Sequence, residues 1–211
     1  MKISKDELRN IIQGDGQIGN ESIIKKTQLY LGGNEIPDLQ NSKIQHLKSE
    51  EERGLICFIK ANNLFYDEKI LQENYIGEGA EQKVYKLNDI YLIKLNDTIF
   101  YEFWRDYFNS LLIHNYFFES TQYELLGFKL IDDKLFSVVK QRFIASTEAV
   151  DLLLIRRFLE FNEFSNIRNN DYQNEKLGLI FEDLHDENII SQNGILFFID
   201  TIFYLTDKFY K

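Results

Sequence analysis

Residues 183–200 read DLHDENIISQNGILFFID, and their pattern carries most of the information about the fold. It opens with Asp183 and Asn188, five positions apart in a short polar segment. Two apolar runs follow, separated by Asn193-Gly194, and the second run ends at Asp200. Asn-Gly between apolar runs is a strong signal for a β-hairpin. The stretch therefore predicts a polar loop, then a hairpin, then a carboxylate at the end of the hairpin.

Three of the polar residues in this stretch, Asp183, Asn188 and Asp200, suit metal-assisted chemistry on a hydroxyl group. Asp183 can accept a proton, and the side-chain oxygens of Asn188 and Asp200 are hard ligands of the kind that Mg²⁺ prefers. A carboxylate at the end of an apolar strand is costly to bury unless it meets a cation or hydrogen-bond donors. The alternatives are a charged turn that contains the Asp/Asn pair and an aspartate that only caps a strand.

A glycine-rich segment lies earlier in the chain, where residues 77–85 read GEGAEQKVY between two predicted strands. Glycine lets the backbone approach a triphosphate, because no Cβ blocks it and positive φ is allowed. Successive backbone N–H groups can then surround phosphate oxygens. A dinucleotide-binding loop should open a helix, but a β-type run follows here, which argues against that fold. An ordinary hairpin turn with two glycines is the alternative.

Lys94 ends the apolar run that begins at Tyr91. A charge in a strand core is costly unless it is paired, so this lysine can serve a phosphate while a carboxylate holds it. Glu102 is the better candidate for that carboxylate, and Asp106 and Glu119 are alternatives. A lysine whose ammonium extends to solvent from a strand end is the other interpretation.

The first 70 residues predict helices without a chemical motif. Ser4 and Glu7 form a capping box. A second helix is predicted from Ser22 to Leu31, and Ser49 with Glu52 is predicted to cap a third. Short strands follow, with one long helix among them and a second helix after them. The strands are predicted at 71–76, 83–87, 90–95, 125–131, 135–140, 189–191 and 195–199, and the helices at about 98–118 and 147–164. Asp132-Asp133 is the predicted turn between the strands 125–131 and 135–140.

Composition limits the classes of partner. The chain has 211 residues and a formal charge of -10, which disfavours duplex DNA and anionic membranes. Cys57 is the single cysteine, so no internal disulfide can form. No stretch reaches the ~20 apolar residues that a membrane span needs. We expect a cytoplasmic protein that binds neither nucleic acid nor membrane.

Four motifs, namely the glycine-rich segment, Lys94, the Asp183/Asn188 pair and Asp200, occur in the order and approximate spacing of a protein kinase. The chain resembles the protein-kinase-like superfamily, and in particular the compact serine/threonine/tyrosine-kinase-like domains of bacterial polyvalent proteins, found in phage and mobile elements. The start Asp183-Leu184-His185 also resembles the catalytic loop of aminoglycoside phosphotransferases. The resemblance covers about residues 71–211.

This resemblance implies an α+β, two-lobed protein-kinase-like fold. Residues 71–142 would form an N-lobe with an antiparallel sheet, and residues 143–211 a reduced helical C-lobe. Residues 1–70 would be a helical extension outside the resemblance.

The resemblance also implies roles for single residues, with ATP and Mg²⁺ as cofactors. Asp183 would be the catalytic base and Lys94 would contact the α- and β-phosphates. Asn188 and Asp200 would bind the metal. The remaining nucleotide contacts would come from Gly77 and Gly79 over the phosphates, Val84 on the adenine, Glu102 on Lys94, and a hinge at Gln141, Arg142 and Phe143.

The implied activity is transfer of the γ-phosphoryl group of ATP to a hydroxyl. A protein Ser, Thr or Tyr is the favoured acceptor, and a small molecule is the other. Two further functions stay open: a nucleotide-binding pseudokinase that acts as an interaction module, and an enzyme that transfers AMP.

The sequence departs from the kinase pattern at several positions. Gln82 replaces the third glycine, and Phe181-Glu182 precede Asp183 where many kinases have His-Arg or His-Gly, which removes the ring that supports the loop. Thr201-Ile202 replace Phe-Gly after Asp200, and eleven residues in all follow Asp200, too few for a full activation segment. His185 is expected to orient the loop by hydrogen bonding, and His114 to be structural.

Overall fold

The computed structural model describes residues 4–14, 22–33, 41–79 and 82–211, with the side chains of 41–46 outside that description. Over these residues the fold is α+β, with every strand pair antiparallel. The helices are α1 (Lys5–Gln13), α2 (Ile23–Gly32), α3 (Asn41–Ala61), α4 (Trp104–Phe117), α5 (Leu152–Phe161) and α6 (Asp207–Tyr210). The same residues include no helix with both the length and the apolar character needed to cross a bilayer.

The strands form two sheets and a separate hairpin. The first sheet contains β1 (Tyr75–Glu78), β2 (Gln82–Lys86), β3 (Tyr91–Asn96), β4 (Tyr123–Ile131) and β5 (Lys134–Arg142). The second contains β6 (Ser165–Arg168), β7 (Asp171–Asn174), β8 (Leu179–Glu182) and β11 (Ile202–Leu205). The hairpin is β9 (Ile189–Gln192) with β10 (Ile195–Phe198).

The chain divides into two units. The five-stranded unit contains Ile18–Leu111 and Tyr123–Phe143, and the three-segment unit contains Met1–Gln17, Leu112–Gln122 and Ile144–Lys211. The change of unit after Phe143 lies one residue beyond the end of the predicted N-lobe. Residues 1–70 do not form a unit of their own, because α1 belongs to one unit and α2 and α3 to the other.

The five-stranded sheet has the order β1-β2-β3-β5-β4. The predicted pairing of the runs 83–87 and 90–95 is confirmed by the β2–β3 register. The predicted turn at Asp132-Asp133 is also confirmed, and both residues have positive φ, 49° and 60°. One boundary differs from the prediction: Gln72–Asn74 form a 3₁₀ turn, so the first strand begins only at Tyr75.

The first half of α4 packs on the face of this sheet that carries Lys94. Tyr107 on α4 accepts a hydrogen bond from the Ser137 hydroxyl at 2.8 Å, and Ser137 lies opposite Asn96, two residues beyond Lys94. Side chains two positions apart on a strand point to the same face. The Trp104 ring also contacts Phe128 edge-on, at 6.2 Å between centroids. The opposite face is covered by an apolar cluster around Tyr85, Ile93, Leu95 and Val138.

The prediction of a helical C-lobe is corrected by the second sheet. Residues 165–205 contain six strands, β6 to β11, and no α-helix. The strand β6 reads SNIR and is exposed along its whole length, so it shows no apolar alternation that could have marked it. Its pairing depends on β7, and β8 in turn pairs with the distant β11.

The three predicted helices of the first 70 residues have different outcomes. The capping box of Ser4 and Glu7 is confirmed at the start of α1. The second helix is confirmed as α2. The predicted cap at Ser49 is wrong, because α3 runs from Asn41 through Ser49 without a break. The residues around Ser49 are mostly good helix formers, so a single serine does not end the helix.

Candidate active site

Three of the predicted nucleotide contacts lie in one row across the five-stranded sheet. Gly77 on β1 is opposite Val84 on β2, Val84 is opposite Lys94 on β3, and Lys94 is opposite Val139 on β5. Directly opposed residues in an antiparallel pair place their side chains on the same face. Val84 and Lys94 therefore share a face, and Gly77 leaves space at the end of their row.

The glycine-rich segment is the hairpin between β1 and β2. The Gly79 N–H donates to the Gln82 carbonyl at 3.0 Å. Among the described residues, a Cβ added at Gly77 or Gly79 would meet no atom within 4 Å, so this part of the chain leaves space beside both glycines. The tip of the hairpin, at Ala80 and Glu81, lies outside the described residues. Gln82, which replaces the third glycine, is buried at the start of β2.

Lys94 is almost fully buried, with 3% of its surface exposed. Its Nζ lies 5.3 Å from the centre of the Tyr123 ring, a distance that allows a cation–π interaction. The expectation that Glu102 lies on the following helix is wrong: Glu102 is exposed and precedes α4, which begins at Trp104. The acid that α4 does contribute is Asp106, whose pKa is raised to about 6, chiefly by burial and next by the charge of Glu102.

A carboxylate of α3 holds the start of α4. Glu51 accepts hydrogen bonds from the backbone N–H groups of Trp104, at 2.7 Å, and Arg105, at 3.2 Å. Those N–H groups belong to the first turn of the helix and have no partner within it. Burial raises the pKa of Glu51 to about 7, although both hydrogen bonds act to lower it and nearby Lys48 does so more weakly. Repulsion from Asp106 adds to the rise.

The predicted hinge is only partly available to a ligand. Gln141 lies in β5 between β3 and β4, opposite Leu92 and Tyr123, and its side chain is buried. Phe143 follows the strand, and its N–H donates to the Ile90 carbonyl at 2.7 Å. The Phe143 N–H is therefore not free to read the edge of an adenine.

The polar segment 183–188, called the Asp183 loop below, is held in place by hydrogen bonds of its own side chains. Asp183 has a φ of 61°, in the left-handed region that few residues other than glycine adopt. The Asn188 amide donates to the Asp183 carbonyl and to its Oδ2, both at 2.8 Å. The Nδ1 atom of His185 accepts the Glu187 N–H, so its Nε2 carries the proton in the neutral ring. That Nε2 lies 3.2 Å from the Asp183 Oδ1 and can donate to it, which matches the expected loop-orienting role.

Two further elements support the same loop. The Asp183 N–H donates to the carboxylate of Asp171 at 3.2 Å, and the Leu184 N–H donates to the Asn170 carbonyl at 3.1 Å. Phe181, at the position of the missing kinase histidine, is fully buried and stacks on Phe203 with 4.1 Å between centroids. The position of the missing histidine is therefore occupied by a phenylalanine ring that packs against β11.

Asp200 lies beside this loop because two backbone bonds place it there. The N–H groups of Ile199 and Asp200 both donate to the Asn188 carbonyl, at 3.0 and 3.3 Å. Asp183, Asn188 and Asp200 are therefore brought together in the three-segment unit.

The side chains of Asn188 and Asp200 fit a Mg²⁺ ion in their chemistry. The Asn188 amide nitrogen is occupied by Asp183, which directs the amide oxygen away from that carboxylate. An amide oxygen and a carboxylate are hard ligands, and Mg²⁺ completes its shell with water and substrate phosphates. No group of three or more His, Cys, Asp or Glu among the described residues could hold a metal ion. A two-ligand site of the phosphate-bound type is the kind that these residues can supply.

Sequence patterns did not point to several residues that shape this site. Asp171, His114 and Thr121 are all bonded to the Asp183 loop or to the segment around Asp200. Their partners lie between 12 and 87 positions away in the chain, a separation that no local periodicity reports. The one local signal that could have pointed to Asp171 is its position at the start of the short strand β7.

A comparison with protein-family models matches residues 48–207 to serine/threonine/tyrosine kinases found in polyvalent proteins. Comparisons with curated proteins and with solved structures gave no match. The matched region begins within α3, so the second half of that helix belongs to the family domain and not to an extension outside it. Because the match spans most of the chain, this protein belongs to the serine/threonine/tyrosine kinases found in polyvalent proteins.

Proposed function

We propose that this kinase-family protein transfers the γ-phosphoryl group of ATP to a hydroxyl, with Mg²⁺ as the metal. The acceptor is a Ser, Thr or Tyr side chain of a protein, in keeping with the family description. A two-lobed kinase fold is part of this proposal, and the order β1-β2-β3-β5-β4 with α4 following β3 supports it.

The observation that carries the proposal is the joint placement of Asp183, Asn188 and Asp200. The carbonyl of Asn188 receives two backbone N–H groups from the Asp200 segment, while its amide group bonds Asp183. One residue thus holds both a candidate base and a candidate metal ligand in place. The backbone bonds from Ile199 and Asp200 to Asn188 extend the β9–β10 hairpin by one step, so this hairpin brings the two candidate metal ligands together.

The reaction follows from the roles of these side chains. Asp183 accepts the proton of the acceptor hydroxyl as its oxygen attacks the γ-phosphorus. The bond from the γ-phosphorus to the bridging oxygen breaks, and ADP leaves with that electron pair. Lys94 stabilises charge on the α- and β-phosphates. A Mg²⁺ ion held by Asn188 and Asp200 would neutralise phosphate charge.

Labelled ATP provides the direct test. Protein incubated with γ-³²P-ATP and Mg²⁺ should transfer label to a protein acceptor or to itself, whereas α-³²P-ATP should transfer none. Transfer from the α position only would identify AMP transfer instead. Nucleotide binding without any transfer would identify a pseudokinase.

The variant Asp200→Ala tests the metal site. It removes a carboxylate without removing a large packing group, so the fold should persist while Mg²⁺-dependent ATP binding is lost. Calorimetry with MgATP on the folded variant measures this. Unchanged affinity together with unchanged transfer would contradict the assignment of Asp200.

A further inference from the structure

The segment that carries Asp200 is held from both sides by side chains of α4 and the turn after it. On one side, the Thr121 hydroxyl donates to the Phe198 carbonyl at 2.7 Å. On the other, the Thr201 hydroxyl lies 2.7 Å from the Nδ1 of His114. Both contacts lie within the three-segment unit. Asp200 stands between the two anchored residues.

The hydrogen bonds of His114 fix which of its nitrogens carries a proton. Its Nε2 lies 2.8 Å from the Thr121 carbonyl, which can only accept, so Nε2 must donate. In the neutral ring Nδ1 then has a lone pair and accepts the Thr201 hydroxyl proton. His114 and Thr121 are fully buried and Thr201 nearly so, which makes an unsatisfied polar group at any of these positions costly.

We propose that His114 is a positioning residue for Asp200, acting through the hydroxyl of Thr201. This inference rests on the proposed function, in which Asp200 binds Mg²⁺. The bond from Thr201 fixes the backbone immediately after Asp200, and the Thr121 bond fixes it two residues before. Together they limit the rotation of the peptide groups from which the Asp200 carboxylate extends.

Such outer contacts affect metal affinity because they orient the ligand before the metal arrives. Removing a partner of the ligating side chain itself typically lowers metal affinity 10–100-fold, so a bond to the neighbouring residue should act at the lower end of that range. A histidine that merely fills the core would affect stability without changing the Mg²⁺ requirement. The Mg²⁺ requirement therefore distinguishes a positioning role from a packing role.

The variant Thr201→Val removes the hydroxyl and keeps the shape of the side chain. We expect it to raise the Mg²⁺ concentration for half-maximal ATP binding by about 10-fold. The variant Thr201→Ser keeps the hydroxyl and should stay close to the wild type. Thr27→Val is the matched control, because Thr27 is also fully buried and its hydroxyl is bonded, to the Ile23 carbonyl at 2.7 Å.

A second measurement does not depend on nucleotide at all. Amide exchange at Ile199 and Asp200, measured by NMR in metal-free protein, reports the bonds from these N–H groups to the Asn188 carbonyl. Thr201→Val and His114→Phe should speed exchange at both amides, and Thr27→Val should not. The double variant should exchange no faster than His114→Phe alone, because that change already removes the bond with Thr201 together with the bond to the Thr121 carbonyl.

The outcomes separate the two levels of the proposal. Unchanged exchange in folded Thr201→Val, or an unchanged Mg²⁺ requirement beside a wild type that binds MgATP, would overturn the positioning role alone. A wild type that binds ATP equally well with and without Mg²⁺ would overturn the proposed function and the positioning role with it.

Discussion

Val84 and Lys94 lie directly opposite each other across β2 and β3. Lys94 is in turn opposite Val139, which is opposite Leu125 on β4. The Lys94 side chain therefore extends from a row of otherwise apolar residues, and its ammonium group lies over the Tyr123 ring. A buried charge in such surroundings is costly to keep and is typical of functional sites.

The variant Lys94→Met should lower ATP affinity by roughly 10–100-fold, the loss expected for a hydrogen bond to a charged group. The fold should persist, because methionine is close to lysine in length and volume. Calorimetry and a melting curve measure the two effects. Lys140→Met is the control: Lys140 lies on the other face of the sheet, opposite Ile93, and also lies over a ring, that of Tyr91. Equal losses of affinity in both variants would argue against a specific role for Lys94.

The variant Asp183→Asn should leave ATP binding largely intact and slow transfer by roughly 10²–10⁴-fold, the range for removing a general base. Asparagine tolerates the left-handed backbone of Asp183 and keeps one acceptor oxygen, but it cannot take up the proton. Steady-state kinetics should show the loss in kcat more than in KM. Asp186→Asn removes the same charge from an exposed position of the loop and should transfer at the normal rate. A normal rate in Asp183→Asn would assign the proton to another group.

The Glu51 carboxylate predicts a dependence of stability on pH. Its pKa is raised from 4.5 to about 7, so the folded state binds this proton more tightly than the unfolded chain. The resulting stabilisation is complete below about pH 4.5 and is lost as the pH rises through about 7. It amounts to ~3 kcal/mol at most, from 1.36 kcal/mol for each pKa unit.

Glu51→Gln should reduce the fall in the free energy of unfolding between pH 5 and 8, measured by urea titration. Near pH 4 the variant and the wild type should converge, because wild-type Glu51 is then protonated and close to glutamine in shape and polarity. If the free energy of unfolding changed with pH in the same way in the variant and the wild type, the raised pKa of Glu51 would be contradicted.

Gly178 predicts a large cost for a single methyl group. Its φ is 71°, and an added Cβ would lie 2.3 Å from the backbone nitrogen of Phe209. Gly178→Ala should therefore lower the free energy of unfolding by about 1–2 kcal/mol for the left-handed backbone and by about 1–3 kcal/mol more for the clash. Gly194 has a similar φ of 77° but open space, so Gly194→Ala should cost only the first amount. Equal destabilisation in urea titrations would contradict the clash.

Sequence reasoning succeeded where local chemistry determines the structure. The turns at Asp132-Asp133 and Asn193-Gly194 have residues that accept positive φ, and the structure gives all four that conformation. The strand β3 was visible as an apolar run, and its last four residues are all buried in the structure. The Asp/Asn spacing of the Asp183 loop was also a local pattern, and family membership agrees with it.

Sequence reasoning failed where distant contacts override local preference. The strand β6 has no buried face, and only its partner strand defines it. Ser49 and Glu52 have the spacing of a capping box and were predicted to begin a helix. In the structure both lie inside α3, and Glu52 accepts a hydrogen bond from the Trp104 indole at 3.0 Å. His114 looked like a lone histidine, because Thr201 is 87 positions away.

The three-segment composition of one unit also has a consequence for the order of events during synthesis. Lys5 and Arg9 on α1 donate to the backbone carbonyls of Lys208 and Phe209, about 200 positions later. At 5–20 residues per second, α1 waits roughly 10–40 s on the ribosome for these partners. Its apolar residues Leu8, Ile11 and Ile12 are buried in the finished protein. All residues of the five-stranded unit have been synthesised once Phe143 leaves the ribosome, so we expect this unit to fold first. Until residues 144–211 follow, we expect transient contacts to cover the apolar residues of α1.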